Sequence, residues 1–591
     1  MQTHCPQLNH FARRGVVTLA ALLLSVTTSL AGPQVIKRII FKGNHALTAD
    51  ELRKAMILKE GSEYDTFLLE KDIDNILELY DEKGFPDAKI VEQKLIPKDG
   101  LVECEFLINE GERIKIGDIQ ILGNEAVLTK EIANSLGFSE GDAYDPGRVS
   151  VGEYRIESLY ADRGYMYADA KSRAIRENRV VNVTFAIEEG PQVRIGDIRV
   201  VGNAHTRTMI IEREIIAKSG EAYDPRKIYR SQERLYATNL FRDVDFDILG
   251  AEDSAEVVDI VFRVTELSPR WISFAGGYQS PDRILANIRV GHDNLFNNGQ
   301  KLSISTFFSY SLEEEHEEQI GLDYVEPYFM NTPFKLMLRI FHSRETRVSY
   351  SQWETGANMK IGRYITHNVG FFVQYQYKTA FIDTLEGSVE GITNSILFHV
   401  SRDTRDDLFN PMRGTYTSLG LETAGGILGG DNQFARSLLD VSAFVNPLNR
   451  FVLGARIRFG ELSPAGVSEQ RGVSLNERFE LGGGASVRGY DEASIGPLDA
   501  RKKRSGYVMT NLNTELRFPA YKKLWLGLFI DSGGVWMDRN EIELSDLKLT
   551  YGVGLRYSLP MGPLRIDYAR RLTDVSPGDY GRLYLAIGHI F

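Results

Sequence analysis

A glycine-rich stretch built around Arg488 is the part of the sequence best suited to a fixed charge interaction. Residues 478–490 read Arg-Phe-Glu-Leu-Gly-Gly-Gly-Ala-Ser-Val-Arg-Gly-Tyr, so Arg488 stands among small residues. Glycines let the backbone turn tightly and approach a neighbouring wall closely, which would carry Arg488 deep into a cavity. The alternative is a surface turn with an incidental arginine, since such loops are common. A buried arginine would require a carboxylate partner, because a bidentate ion pair holds a guanidinium best.

The residues on either side of this stretch have the alternating pattern of strands. After it, strands resume near Tyr507 and continue to Phe591. The apolar residues that alternate with glycine and arginine before it are Phe451, Leu453, Ala455, Ile457 and Phe459. A segment of about forty residues between two strands is a long loop, and long loops inside compact folds usually have a function.

The N-terminus has the features of a secretory signal peptide. Arg13 and Arg14 precede an apolar run over residues 16–24, and Ser29-Leu30-Ala31 provides a cleavage site of the small-x-small type. The run is shorter than the roughly 20 apolar residues that span a bilayer. Residues 1–31 are therefore predicted to be removed on export. With 43% hydrophobic residues, 27 Tyr and 30 Phe, the exported chain is either a soluble periplasmic protein or a membrane β-barrel.

The composition argues against nucleic-acid binding and against catalysis. The chain has 69 Lys and Arg against 81 Asp and Glu, a net charge of −12, which disfavours contact with a polyanion. The sequence contains no Gly-x-Ser-x-Gly, no His-Glu-x-x-His and no clustered Cys or His, so we expect no enzyme, cofactor or metal site. Cys104 is the only cysteine beyond the signal peptide, which excludes an internal disulfide.

Three repeats of about 80 residues make up the first half of the chain. Each carries a Gly-Asn pair and, further on, a Gly-x-x-Tyr-Asp motif, whose aspartates are suited to capping a helix. The pairs begin at Gly43, Gly123 and Gly202, and the motifs end at Asp65, Asp145 and Asp224. Hydrophobic spacing predicts α+β domains of the order βααββ over residues 32–112, 113–191 and 192–267. A three-stranded sheet leaves an edge that can hold an extended peptide, although the repeats could also be simple spacers.

The second half, residues 268–591, has a period of two and predicts an antiparallel transmembrane β-barrel. Apolar residues such as Phe371 and Val373 alternate with polar ones such as Gln374 and Gln376. The segments are near the roughly ten residues that a tilted strand needs to cross a bilayer, and we count about sixteen of them, within the even-numbered series of such barrels. The glycine-rich stretch then falls in a long loop over about residues 463–505, which we expect to fold inward.

Taken together, these features resemble the outer-membrane assembly and secretion superfamily of BamA, TamA and the two-partner secretion transporters. The repeats would be POTRA domains, and Val487-Arg488-Gly489-Tyr490 is similar to the Val-Arg-Gly-Phe/Tyr loop motif of that family. Phe529-Ile530-Asp531-Ser532-Gly533 matches a second family motif, Phe-x-Asp-x-Gly. The number of repeats makes the resemblance closest to TamA-like members with three POTRA domains.

The resemblance implies roles for these residues. In the family the loop folds into the barrel, so Arg488 is expected to pair with Asp531, next to Phe529 and Gly533, with Glu480 as a possible competing partner. A lateral gate is expected between the first and last barrel strands, because mid-strand glycines weaken pairing. The residues expected at this gate are Trp271, Ser273, Gly276, Gly277, Tyr278, Ile587 and Phe591.

The function that the resemblance implies is assembly of outer-membrane proteins in a Gram-negative-type bacterium. The POTRA domains would lie in the periplasm and bind unfolded β-barrel proteins or autotransporters, which would be inserted through the gate. Expected partners are these clients, periplasmic or inner-membrane assembly proteins and outer-membrane lipid, and not nucleic acid. The alternative function is that of a two-partner-secretion-type exporter of one soluble protein.

Overall fold

The computed structural model describes residues 35–587 except 99–100, 280–282, 312–315, 347–349, 385–386, 448–450, 499–503, 560–561 and 576–580. The predicted signal peptide and Phe591 lie outside these residues. The chain forms two compact units. The first comprises the chain up to Arg199 with 217–229 and 248–260, and the second comprises 200–216, 230–247 and everything from Val261 onward, so the third repeat contributes to both. None of the helices among the described residues is long and apolar enough to cross a membrane.

Each of the three repeats folds as predicted, with two helices and a three-stranded sheet. In the first two repeats the last strand lies in the centre, parallel to the first strand and antiparallel to the second. The third sheet has the same order, β7-β9-β8. The first repeat contains β1 Val35–Lys42, α1 Ala49–Ala55, α2 Thr66–Glu82, β2 Lys89–Lys98 and β3 Leu101–Asn109. The second contains β4 Lys115–Leu122, α3 Thr129–Leu136, α4 Pro146–Ala161, β5 Asp169–Glu177 and β6 Val180–Glu188. The third contains β7 Arg194–Val201, α5 Thr208–Glu212, α6 Pro225–Ala237, β8 Phe241–Leu249 and β9 Val257–Glu266.

The aspartates of the repeated motif cap the longer helices. The side chain of Asp65 accepts hydrogen bonds from the backbone N–H groups of Phe67 and Leu68 at the start of α2. Asp145 does the same for Gly147 and Arg148 at the start of α4. These contacts satisfy N–H groups that have no partner within the helix, which confirms the capping interpretation.

A glutamate after the central strand holds each repeat together. Glu189 accepts hydrogen bonds from the Tyr160 hydroxyl (2.7 Å) and the backbone N–H of Ala126 (2.8 Å), and so joins α4 to the turn after β4. Burial opposes the charge on Glu189, but these donors outweigh it and hold the pKa of the carboxyl below its usual range. The corresponding residues are Glu110, which binds Tyr80, and Glu266, which binds the backbone of Thr206.

The second half forms one 16-stranded antiparallel sheet, as predicted, in which each strand pairs with its neighbours in sequence. The sheet has β10 and β25 at its two ends, and these strands come into contact at what we call the seam. The strands are β10 Arg270–Gln279, β11 Arg283–Leu295, β12 Gln300–Ser311, β13 His316–Glu326, β14 Lys335–Thr346, β15 Tyr350–Thr366, β16 Val369–Thr384, β17 Gly387–Asp403, β18 Gly414–Ala424, β19 Phe434–Val445, β20 Val452–Pro464, β21 Val508–Tyr521, β22 Leu524–Trp536, β23 Lys548–Leu559, β24 Gly562–Arg571 and β25 Arg582–Ile587.

Polar side chains face the interior of this barrel, the lumen, and apolar side chains face outward. Along β21, Asn511, Asn513 and Glu515 are buried while Leu512 between them is exposed. A soluble protein would reverse this arrangement, so the outer surface is suited to lipid. The described residues between β20 and β21, 465–498 and 504–507, include the short helix α7 Val467–Arg471, and Arg488 among them reaches the inward-facing Asp531.

Candidate functional site

Glycines shape the loop so that its backbone can pass close to other chain segments. Gly482 and Gly489 have φ values of 118° and 98°, a region that residues with a Cβ rarely adopt. A Cβ on Gly482 would lie 2.1 Å from the carbonyl oxygen of Asp491, so the turn has no space for one. The glycines therefore allow residues 482–491 to fold back on themselves and present Arg488 to the barrel wall.

Arg488 is completely buried, with 0% of its surface exposed, and makes a bidentate ion pair with Asp531. Its Nε donates to Asp531 Oδ2 at 2.7 Å and its Nη2 donates to Oδ1 at 2.8 Å. The backbone N–H of Arg488 also donates to Oδ2, at 3.2 Å. The guanidinium carbon lies 3.3 Å from the centre of the Phe529 ring, so the cation is held by both charge and a π face.

Two further carboxylates complete a network that we call the Arg488 clamp. Nη1 of Arg488 lies 3.4 Å from Glu515 and 3.2 Å from Asp567. The clamp consists of the cations Arg488, Arg556 and Arg565 and the carboxylates Glu515, Asp531 and Asp567, all buried. The equal numbers of cations and anions reduce the cost of desolvating each charge. These contacts hold Arg488 against β21, β22 and β24.

The other residues of the loop motif connect the loop to the last two strands. The backbone N–H of Gly489 donates to the Tyr584 hydroxyl at 2.8 Å, and Tyr584 lies on β25. The Tyr490 hydroxyl donates to the carbonyl oxygen of Thr573, just after β24, at 2.8 Å. Val487 is buried and fills the space over Gly533, where a Cβ would lie 2.9 Å from Val487 Cγ2. The motif thus contacts β22, β25 and the chain just after β24.

Sequence reasoning missed part of this site. The structure places Arg488 on Asp531 and Phe529, and Val487 over Gly533, but Glu480 is not among the carboxylates that Arg488 contacts. Glu515 and Asp567 are its additional partners. Both lie on strands in which polar and apolar residues alternate, at positions that face inward. An acidic residue at an inward position is the sequence signal that would have identified them.

The residues expected at the gate lie on the strands that end the sheet. On β10, Ser273, Gly276 and Gly277 pair with Arg289, Ala286 and Leu285 of β11, as Tyr278 does with Ile284. The Trp271 indole donates to Asp293 at 2.9 Å. On β25, Ile587 pairs with Leu564 of β24, and Phe591 lies outside the described residues.

Comparison with known proteins agrees with this architecture. Residues 294–591 match the Omp85 superfamily domain, and residues 34–111, 114–190 and 193–267 match the POTRA domain, described as a surface antigen variable number repeat. The outer membrane protein assembly factor BamA of Nitratidesulfovibrio vulgaris is 27% identical over 98% of this chain and 76% of its own length. BamA of Neisseria meningitidis is 23% identical over 94% of this chain and 78% of its own length.

A solved structure shows the same fold. BamA from Haemophilus ducreyi lacking POTRA domains 1–3 superposes with a TM-score of 0.64 at 19% identity, over 80% of this chain and 98% of that one. The relatives named here are BamA proteins rather than TamA proteins. The barrel fold and these relatives indicate the outer membrane. The chain, with its three POTRA domains and its barrel, therefore belongs to the Omp85 superfamily.

Proposed function

We propose that this protein is a BamA-type assembly factor that binds unfolded β-barrel clients through its POTRA domains and inserts them through a lateral gate at the seam. The observation that carries the proposal is the extent of the similarity to BamA, which covers 98% of this chain and so includes both the repeats and the barrel. In this arrangement the POTRA domains lie in the periplasm and meet clients before they reach the membrane.

The POTRA sheets offer edges at which a client strand can add. In the first two repeats the central strand is paired on both sides, so among the described residues β2 and β5 each have one edge without a strand partner. The outer edges of β1 and β4 are bridged at their starts to Glu63 and Ala143. Backbone hydrogen bonds to such an edge bind extended chains with little dependence on sequence. This suits a protein that must accept many different unfolded clients.

The third repeat is joined to the barrel within the second compact unit. Tyr328 lies just after β13, and its hydroxyl donates to Glu214 at 3.0 Å. The Arg213 guanidinium lies 4.0 Å from the centre of the Tyr328 ring. In addition, Asn294 at the end of β11 donates from its buried side chain to Thr206 at 2.9 Å. These contacts support a direct transfer of clients from the third repeat to the first barrel strands.

The gate is proposed because β10 and β25 end the hydrogen-bonded sheet. Gly276 and Gly277 in the middle of β10 contribute no side-chain packing, which lowers the cost of separating this strand from a neighbour. An opened β10 exposes backbone donors and acceptors that can template an incoming strand.

Depletion of the protein followed by quantitative proteomics of the outer membrane tests the proposed function. Loss of many barrel proteins is the expected result, and loss of only a few large ones would indicate an accessory role. If all barrel proteins remain while a single exported protein accumulates in the periplasm, the protein is an exporter instead.

A disulfide across the seam tests the gate. An introduced pair, for example Ser273→Cys with Ile587→Cys once the Cα atoms are checked to lie within disulfide reach, has little competition because Cys104 is buried. The oxidised double variant should lose client insertion and regain it on reduction, and each single variant serves as its control. Full activity of the oxidised form would refute the gate.

A further inference from the structure

The first part of the loop contains a second buried charge that the Arg488 clamp does not use. Glu477, which precedes Arg488 in the loop, is 2% exposed. Its Oε1 lies 2.8 Å from Lys378 Nζ on β16 and accepts a hydrogen bond from the Thr393 hydroxyl on β17 at 2.9 Å. Its Oε2 lies 3.6 Å from Arg436 on β19, which also donates to the Glu477 carbonyl oxygen at 3.0 Å.

Neighbouring residues of the loop bind the same wall. The Ser474 N–H donates to Asn432 at 3.0 Å, and Asn432 in turn donates to the Thr393 hydroxyl at 2.9 Å. The Asn476 side chain donates to Glu354 on β15 at 3.0 Å. These contacts place residues 474–477 on β15, β16, β17 and β19, whereas the Arg488 clamp lies on β21, β22, β23 and β24.

We propose that Glu477 is a positioning residue that anchors the first half of the loop. The loop is then fixed to two separate groups of barrel strands, which we call walls, and this arrangement is the two-anchor brace. The two anchors have opposite polarity, because the loop supplies the anion to one wall and the cation to the other. Opposite polarity also prevents exchange of the two sites, since Glu477 would be repelled by the carboxylates that hold Arg488.

A backbone bridge separates the two anchors. Phe479 N–H donates to the Gly506 carbonyl oxygen at 2.9 Å, and Gly506 N–H donates to the Phe479 carbonyl oxygen at 3.0 Å. The Phe479 ring occupies the space above Gly460 on β20, where a Cβ would lie 2.6 Å from it. Residues 467–478 can therefore loosen while residues 480–491 stay in place. Residues 480–491 can likewise loosen while residues 467–478 stay in place.

The charges around Glu477 determine how much the loop should open when Glu477 or Lys378 is replaced. Lys378 also lies 3.6 Å from Glu354, and Arg436 also pairs with Glu422, so each cation keeps a carboxylate when Glu477 is neutralised. Glu477→Gln therefore removes one charged hydrogen bond without leaving a cation alone, and we expect local opening to increase about tenfold. Lys378→Gln leaves two carboxylates facing Arg436 and should increase opening more.

Hydrogen exchange measured by mass spectrometry on the full-length protein in nanodiscs tests the proposal. Glu477→Gln should accelerate exchange in residues 467–478 about tenfold and leave 480–491 unchanged, whereas Arg488→Lys should do the opposite. Glu469→Gln, at an exposed position of α7, is the matched control. Equal exchange in Glu477→Gln and the control would overturn the anchor. Loosening of the whole loop by either variant would overturn the two-anchor brace.

A double variant separates the role of charge from a general effect on packing. If Glu477 acts through its charge, adding Glu477→Gln to Lys378→Gln should return exchange toward the wild-type rate, because the surplus negative charge is removed. Simple addition of the two effects would overturn the ion-pair anchor. Retention of the compact form in unheated gel electrophoresis shows for each variant that the barrel has folded.

Discussion

Replacing Arg488 by methionine should release the loop from the Arg488 clamp while keeping a side chain of similar length. The substitution takes away the guanidinium that pairs with both oxygens of Asp531, so this buried carboxylate loses its bidentate counter-charge. Removing one partner of a buried ion pair costs about 3–5 kcal/mol. At about 1.4 kcal/mol for each factor of ten, the open population of the loop should rise roughly 10²-fold to 10³-fold.

Limited proteolysis with chymotrypsin measures this population. Leu481 and Tyr490 are buried, so cleavage after them requires the loop to open. When closing is faster than cleavage, the cleavage rate follows the open population. Arg471→Met, an exposed arginine of the same loop, is the matched control and should be cleaved at the wild-type rate.

The double variant Arg488→Met with Asp531→Asn distinguishes an ion pair from simple packing. Neutralising Asp531 removes the unpaired negative charge, so the double variant should be cleaved more slowly than Arg488→Met alone. Two results would refute the reasoning: a wild-type cleavage rate for Arg488→Met, or a double variant whose effect is the sum of the two single effects.

Three further predictions concern the seam, the loop turn and the repeats. Arg582→Gln removes the ion pair with Asp491, which is partly exposed, so hydrogen exchange in β25 should rise by no more than about fivefold, and the difference should disappear in 1 M salt. Gly482→Ala, which puts a Cβ against the Asp491 carbonyl at φ 118°, should cost at least about 1 kcal/mol and raise chymotrypsin cleavage of the loop; a wild-type rate would show that the turn can relax. Because folding lowers the pKa of Glu189, its stabilising effect is present above the unfolded pKa, near 4.5, and is lost as the pH falls through the lower folded value. Hydrogen exchange of the second repeat should therefore accelerate over that acidic range beyond the intrinsic pH effect, and Glu189→Gln should remove this acceleration.

Local patterns predicted the fold because they are strong in this chain. The recurrence of Gly-Asn pairs, the aspartate caps and the period of two each follow from short-range geometry, and the structure confirms the βααββ repeats and the 16 strands. The roles proposed for the site residues could be predicted only through family resemblance. The partners Glu515 and Asp567 depend on which strands meet in the closed barrel, and strand alternation shows which side faces inward but not which neighbours come together.

Two ion pairs of the loop, one to β25 and one across the seam, involve exposed carboxylates, unlike the buried contacts that hold the loop to β21, β22, β24 and Tyr584. Asp491 binds Arg582 on β25, and Glu492 lies 3.4 Å from Arg283 on β11, which pairs with β10. Asp491 and Glu492 have side chains 55% and 43% exposed, so each pair contributes at most about 1 kcal/mol. Removing one partner of the buried clamp at Arg488, by contrast, costs about 3–5 kcal/mol. Under the proposed mechanism, separation of β10 from β25 would thus break the weak pair on one side of the seam while the clamp keeps the loop in place. Lateral opening then requires no displacement of the loop, and variants in Glu492 should raise the frequency of opening without changing chymotrypsin cleavage at Leu481.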